Sequence, residues 1–205
     1  NINDMHAVLV SDPRSNNMER KKLYLLCACI LPLMICSGLV YSMFSLYMSE
    51  VLGAKKTQIG LIYMVGSLVG LLFGPLLGRL SDRFGRKPVI LSSMASFVLV
   101  FVLYSMVQGY QAVYPIQIVE GAAWVAFGAS NTAYIADIIA GEKRGWAMGV
   151  YQQTMSIGWI MGPAFGGFLS DIIGSRTTFL LGAILVGIGF ILVSLLVKEP
   201  RRQQN

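Results

Sequence analysis

The stretch GRLSDRFGRKP, Gly78 to Pro88, places three arginines, a lysine and an aspartate between two apolar runs, in a chain that is 55% hydrophobic and only 13% charged. A soluble domain carries roughly a quarter charged residues. Working outward from the stretch, runs of about twenty apolar residues, each long enough to cross a bilayer, fall at Leu23 to Met48, Ile59 to Leu80, Val89 to Val107, Ala112 to Ile139, Trp146 to Leu169 and Thr178 to Val197. The reading is an all-α membrane protein with six spans over residues 21–198. A polar tail (1–20) precedes them, and residues 199–205 begin a linker or tail. The first thirteen residues are too polar for a secretory signal.

The charge on the loops sets the orientation. Thirteen of the sixteen basic residues lie before span 1 or after spans 2, 4 and 6; only Lys55, Lys56 and Arg176 lie on the other side. Basic flanks stay in the cytoplasm, so both termini are expected inside, in a plasma or inner membrane or in that of an organelle. The net charge of +6 is spread by loop rather than gathered on one face, which speaks against nucleic acid. Cys27, Cys29 and Cys36 all sit in span 1 and read as small packing residues, and His6 is the only histidine. No metal-ligand spacing, cofactor motif or pairing of nucleophile with base emerges, so neither a cofactor nor an enzyme is expected.

A shift of the chain by 88 positions aligns Gly53 with Gly141, Lys55 with Lys143, Tyr63 with Tyr151, Gly70 with Gly158, Gly74-Pro75 with Gly162-Pro163 and Gly78 with Gly166. With one inserted residue, LSDRFGR (80–86) falls on LSDIIGSR (169–176). Spans 1 to 3 thus resemble spans 4 to 6. An odd number of spans separates equivalent points, so the two copies lie in the membrane with opposite orientation. The basic residues follow suit: Arg83 aligns with Ile172.

At this point the residues resemble the major facilitator superfamily. Its loop between spans 2 and 3 is matched by Gly78, Leu80, Ser81, Asp82, Arg83, Phe84, Gly85, Arg86 and Lys87. A second family motif, in span 5, is matched by Gly149, Gly158, Gly162, Pro163, Gly166 and Gly167, and in the family it accompanies drug:proton antiporters. The resemblance implies one six-span half of a twelve-span fold, with substrate held between two halves that rock about a central site. The partners it implies are a small-molecule substrate, protons, the lipid bilayer and a second six-span half.

The residues themselves support a mechanism for each motif. Gly78 and Gly85 permit a tight reversal, and Asp82 sits where a helix end can meet another helix's positive N-terminus. Arg86 needs an anion, for which Asp137 at the end of span 4 is the candidate, with Arg144 close behind. Such a cluster is a breakable latch; a loop that only anchors to anionic lipid is the alternative. Gly158, Gly162 and Gly166 recur every fourth residue and form a smooth packing face, while Pro163 introduces a kink or hinge.

In span 4, Gln117, Glu120, Trp124, Phe127, Asn131 and Tyr134 follow helical spacing, and a polar and aromatic stripe in a membrane should face protein or a water-filled cavity. It is expected to line a substrate pocket together with Tyr41, Gln152, Ser156 and Trp159, and with Ser45, Tyr63 and Ser67 as further additions; ordinary interhelix packing is the alternative. Glu120 is the one acid well inside a span. Desolvation there favours reversible protonation, so it is the expected proton site. The family often carries an arginine where Gln117 stands and a glutamine where Glu120 stands. The functional expectation is a proton-coupled exporter of hydrophobic or amphipathic molecules, with metabolite uptake or a non-transporting membrane module as alternatives.

Overall fold

The structure is a computed structural model and describes residues 13–139 and 141–200; His6, Arg201 and Arg202 lie outside the described residues. Six long helices follow in chain order: α1 (Pro13–Leu46), α2 (Lys56–Phe84), α3 (Arg86–Met106), α4 (Val113–Ile138), α5 (Arg144–Ile173) and α6 (Ser175–Leu196). A π-helical turn, Tyr47–Val51, extends α1. All six are long and apolar enough to cross a membrane, and no strand occurs among the described residues.

α1 starts at Pro13, inside the segment read from sequence as a tail. The difference has a simple cause: a helix does not stop where apolarity stops, and Met18 to Leu23 consists of good helix formers that carry the helix out past its apolar part. At the other end, Lys198 to Pro200 fold back onto the bundle, as described below.

The packing carries the internal repeat. The principal helix contacts are α1 with α5, α2 with α4, α3 with α6, α3 with α4, and α1 with α6. Exchanging the first three helices for the last three maps α1·α5 onto α4·α2 and α3·α4 onto α6·α1, and leaves α3·α6 unchanged. The fold is therefore two inverted three-helix repeats packed around a shared core, the arrangement of one half of a major facilitator fold. Phe97, Phe101, Tyr104, Phe127 and Phe179 are among the fully buried side chains of that core.

Glycine lets the helices approach. A Cβ on Gly158 would lie 2.5 Å from the backbone of Met34, one on Gly162 2.6 Å from Gly38, and one on Gly166 2.6 Å from the Leu39 carbonyl. These three residues form the α1–α5 seam as the spacing predicts. Gly149 and Gly167 do not belong to it, because a Cβ on either meets nothing within 4 Å. Helical geometry explains the correction: nine residues, about two and a half turns, separate Gly149 from Gly158, and one residue turns Gly167 away from Gly166. α5 runs unbroken through Pro163. The outward faces of α2 and α5 remain apolar and exposed, with Leu71, Leu72, Ile160 and Phe168 prominent.

Candidate functional site

Two groups of residues stand out, one at the basic end of the bundle and one at mid-depth. At the basic end, α2 stops because Gly85 takes a positive φ of 105°, and α3 begins at the next residue. The first backbone N–H groups of a helix have no acceptor within it. Here the Glu199 carboxylate takes two of them, Arg86 N–H at 2.6 Å and Lys87 N–H at 2.8 Å. Pro88, which has no N–H, occupies the third position at no cost. Glu199 fits because Gly85 has no side chain: a Cβ there would lie 2.8 Å from Oε1. Lys87 Nζ donates to the Ser194 carbonyl (2.7 Å), and the Tyr134 hydroxyl donates to the Lys198 carbonyl (2.8 Å). Sequence reasoning missed Glu199, since a lone glutamate after the last span carries no local signal.

The Arg86 side chain joins two helices. Its Nη1 lies 2.5 Å from Asp82 Oδ1 and its Nε 2.9 Å from Asp137 Oδ2, with Ser81 Oγ at 3.4 Å. Arg86 is 18% exposed and Asp137 34%, so their pairing is partly shielded from water. Ser130 on α4 donates to Ser81 beneath them (2.9 Å). Arg144 donates to the Ala136 carbonyl at the end of α4 (3.0 Å) rather than to a carboxylate. The Arg83 guanidinium lies over the Phe84 ring, 5.6 Å from its centroid. Gly78 takes no part in the reversal expected of it: it lies inside α2, which continues to Phe84, and open space surrounds it, so the turn is made by Gly85 alone.

At mid-depth, a pocket of about 430 Å³ opens between α1, α2 and α4, lined by Tyr41, Tyr63, Ser67, Gln117, Trp124 and Val125 and floored by Gly66, Gly70 and Gly121. α2 and α4 meet through Gly66 and Gly121, and a Cβ on Gly66 would lie 2.8 Å from Gln117 Nε2. The aromatic wall is continuous: Tyr41 stacks on Tyr63 (6.3 Å between centroids) and also contacts Trp124 (6.4 Å) and Trp159 (5.5 Å). Ser45 and Tyr63 share a hydrogen bond at 3.3 Å. Trp124 Nε1 is buried and faces Glu120 and Tyr41 without reaching hydrogen-bonding geometry to any described residue.

Glu120 lies behind this wall, 3% exposed, at a crevice too narrow for a water molecule between Tyr41, Phe44, Tyr63 and Gln117. Its Oε2 accepts from the Tyr104 hydroxyl at 2.5 Å, and the same hydroxyl lies 2.8 Å from Gln117 Oε1. Among the described residues Glu120 makes no ion pair. Tyr104 was also missed, because a tyrosine in an apolar run looks like any other packing residue.

The span 4 stripe divides. Gln117 and Trp124 line the pocket, whereas Phe127, Asn131 and Tyr134 do not, being 0%, 0% and 2% exposed. Phe127 packs on Phe97 and Trp124, and Asn131 Nδ2 donates to the Phe127 carbonyl (2.8 Å) while its Oδ1 is buried without a partner among the described residues. α3 covers that side of α4, so helical spacing put on one face what the neighbouring helices separate. Tyr134 instead borders a second cavity of about 380 Å³ at the basic end, with Lys22, Asp137 and Glu199. On α5, Gln152 and Ser156 are exposed away from the pocket, with Ser156 Oγ bonded to the Gln152 carbonyl (3.0 Å), and Trp159 reaches the site only through Tyr41. No group of three or more potential metal ligands exists among the described residues.

Six apolar spans in two inverted repeats, with polar side chains turned inward at mid-depth, define an integral membrane protein. The model of the Major Facilitator Superfamily matches residues 26–205, and the chain belongs to that family. It is 34% identical over 146 residues to the class C tetracycline resistance protein of Escherichia coli, covering 71% of this chain and 36% of that one. It is 30% identical over 165 residues to multidrug resistance protein 1 of Bacillus subtilis (strain 168), covering 80% and 42%. The human organic anion transporter MFSD10 (TETRAN) shares the fold, with a TM-score of 0.73 at 18% identity over 90% of this chain and 49% of that one. The chain thus spans less than half the length of the relatives it matches.

Proposed function

We propose that this chain forms one half of a secondary active transporter that works by alternating access and exchanges protons for hydrophobic or amphipathic molecules. The observation that carries the reading is a buried carboxyl, Glu120, set directly behind an aromatic pocket of about 430 Å³. A carboxyl in a membrane interior binds and releases a proton more readily than it sits permanently charged, and the pocket offers flat aromatic surface with few polar groups, which suits large apolar ligands. The names of the relatives, two resistance proteins and an organic anion transporter, agree with a small-molecule cargo.

The pocket is lined by α1, α2 and α4 alone, and apolar faces of α2 and α5 are exposed. A second six-span half, either further chain or another copy, completes the site in this reading. The Arg86–Asp82–Asp137 cluster holds the basic end closed in one state and releases in the other. By the charge distribution that end, with both termini, faces the cytoplasm.

The test is dye efflux from vesicles driven by a pH gradient, with and without a protonophore. Glu120→Gln keeps shape and removes titration, so the variant should fold and lose gradient-driven flux. Unchanged dependence of flux on the gradient would remove Glu120 from the mechanism. Gradient-driven dye uptake instead of efflux would reverse the direction proposed.

A further inference from the structure

We infer that Tyr104 is a positioning residue that transmits the protonation state of Glu120 to Gln117 in the pocket wall, so that a proton and a hydrogen-bond-donating substrate compete without touching each other. The inference rests on the reading of Glu120 as the proton site. Tyr104 is fully buried, with its ring packed on Phe44 (5.0 Å) and Phe179 (5.6 Å), so its hydroxyl is held in place. That hydroxyl reaches both Glu120 Oε2 (2.5 Å) and Gln117 Oε1 (2.8 Å), two side chains one turn apart on α4.

A phenol has one hydrogen to give. With Glu120 ionised, the bond to the carboxylate is the stronger of the two because its acceptor is charged. Gln117 Oε1 then keeps its accepting capacity. When Glu120 takes a proton from water, its new O–H donates to Tyr104 Oη, and the Tyr104 hydrogen turns to Gln117 Oε1. No other bond changes, and loss of the proton to water reverses both steps. Gln117 lines the pocket, and its carbonyl offers both of its acceptor positions to substrate donors only while Glu120 is ionised; with Glu120 protonated, Tyr104 takes one of the two. The groups facing Glu120 are Tyr41 from α1, Tyr63 from α2, Tyr104 from α3, and Gln117 and Trp124 from its own helix; none is cationic. The hydroxyl of Tyr104 is therefore the route by which the charge on Glu120 reaches the pocket wall.

The experiment compares two probes on the assembled transporter in lipid nanodiscs: ethidium, whose aromatic amines donate hydrogen bonds, and tetraphenylphosphonium, which has no donor. Affinity is measured across the neutral pH range. Linked release of one proton raises affinity by up to about tenfold per pH unit, and the wild type should show a steeper rise for ethidium than for tetraphenylphosphonium. In Tyr104→Phe, which keeps the ring, the two slopes should become equal to within about twofold per pH unit. Gln117→Met, which removes the acceptor and leaves Tyr104 in place, should do the same and serves if Tyr104→Phe does not fold. Equal slopes for the two probes in the wild type would overturn the inference. A difference that survives either variant, while Glu120→Gln abolishes pH dependence, would overturn it and leave the proton site standing. Retained pH dependence in Glu120→Gln would overturn both.

Discussion

The two elbows of the inverted repeat use one backbone device and different chemistry. At Gly85 and at Gly174 the chain turns with positive φ, 105° and 79°, and the glycine is the single residue between one helix and the next. At the Gly85 elbow, Arg86 pairs with Asp82 and Asp137, Lys87 reaches Ser194, and Glu199 covers the glycine. At the Gly174 elbow the groups are mostly neutral. Ser170 bonds Ser175 (2.9 Å), Arg176 donates to the Val107 carbonyl (2.8 Å), and nothing lies within 4 Å of a Cβ on Gly174. Asp171, the counterpart of Asp82, makes no ion pair among the described residues. Each elbow nevertheless docks on the end of the helix related to its own by the repeat: Lys87 on α6, Arg176 beyond α3. The two elbows share their backbone turn, while the charged side chains gathered at Gly85 make that elbow an ionic cluster and leave the other a hydrogen-bonded corner.

The comparison breaks most completely if the two elbows do not face opposite sides of the membrane. Cysteine introduced at Lys143, near the first elbow's end of the bundle, should react with an impermeant reagent only from the cytoplasmic side, and cysteine at Lys56 only from outside. This is an all-or-none outcome; labelling of both from one side would end the inverted topology.

A smaller effect separates the elbows by stability. Both glycines occupy a backbone region that other residues enter at a cost of about 1–3 kcal/mol. Gly85→Ala and Gly174→Ala should therefore both lower the unfolding temperature in detergent. Gly85→Ala should lower it further, because its Cβ displaces Glu199, and equal losses would mean that Glu199 is not seated as described.

Next in size is the ionic coupling. A double-mutant cycle on Arg86 and Asp137, read by thermal stability, should return about 1 kcal/mol, since the pair is partly buried and joins two helices. The same cycle on Arg176 and Asp171 should return a coupling near zero. Strict additivity at Arg86 and Asp137 would make the two elbows alike.

The smallest expected change is Glu199→Gln. It keeps an acceptor for the N–H groups of Arg86 and Lys87 and removes the charge at a helix N-terminus, a loss of about 0.3–1 kcal/mol. Glu199→Ala, which removes the acceptor as well, should lose more; identical losses would attribute the whole effect to charge.

How much was legible follows from how far apart the cooperating residues lie. Arg86 and Asp137 are 51 positions apart, yet the pair was readable because an arginine at a helix start needs an anion and few acids are available. Glu199 is 113 positions from Arg86 and follows the last span, where nothing nearby marks it as a cap. Tyr104 lies in an apolar run whose spacing does not tell a hydroxyl in use from a ring in the core. In span 4 the 3.6-residue period groups six residues on one face, whereas the structure puts Gln117 and Trp124 on the pocket, Glu120 behind it, and Phe127, Asn131 and Tyr134 elsewhere. Periodicity gives directions around one helix axis and says nothing of which neighbour covers each direction.

Span number, the inverted repeat, the turn at Gly85 and the charge asymmetry were determined by the sequence alone, because each depends on residues close in the chain and on their affinity for water or lipid. The pocket, the seating of Glu199 over Gly85 and the bridge from Tyr104 to Glu120 and Gln117 were decided only by tertiary structure. They depend on how closely helices distant in the chain approach, and that distance is set by side-chain volume at the seams, with Gly66 against Gly121 and Gly38 against Gly162 bringing the backbones together.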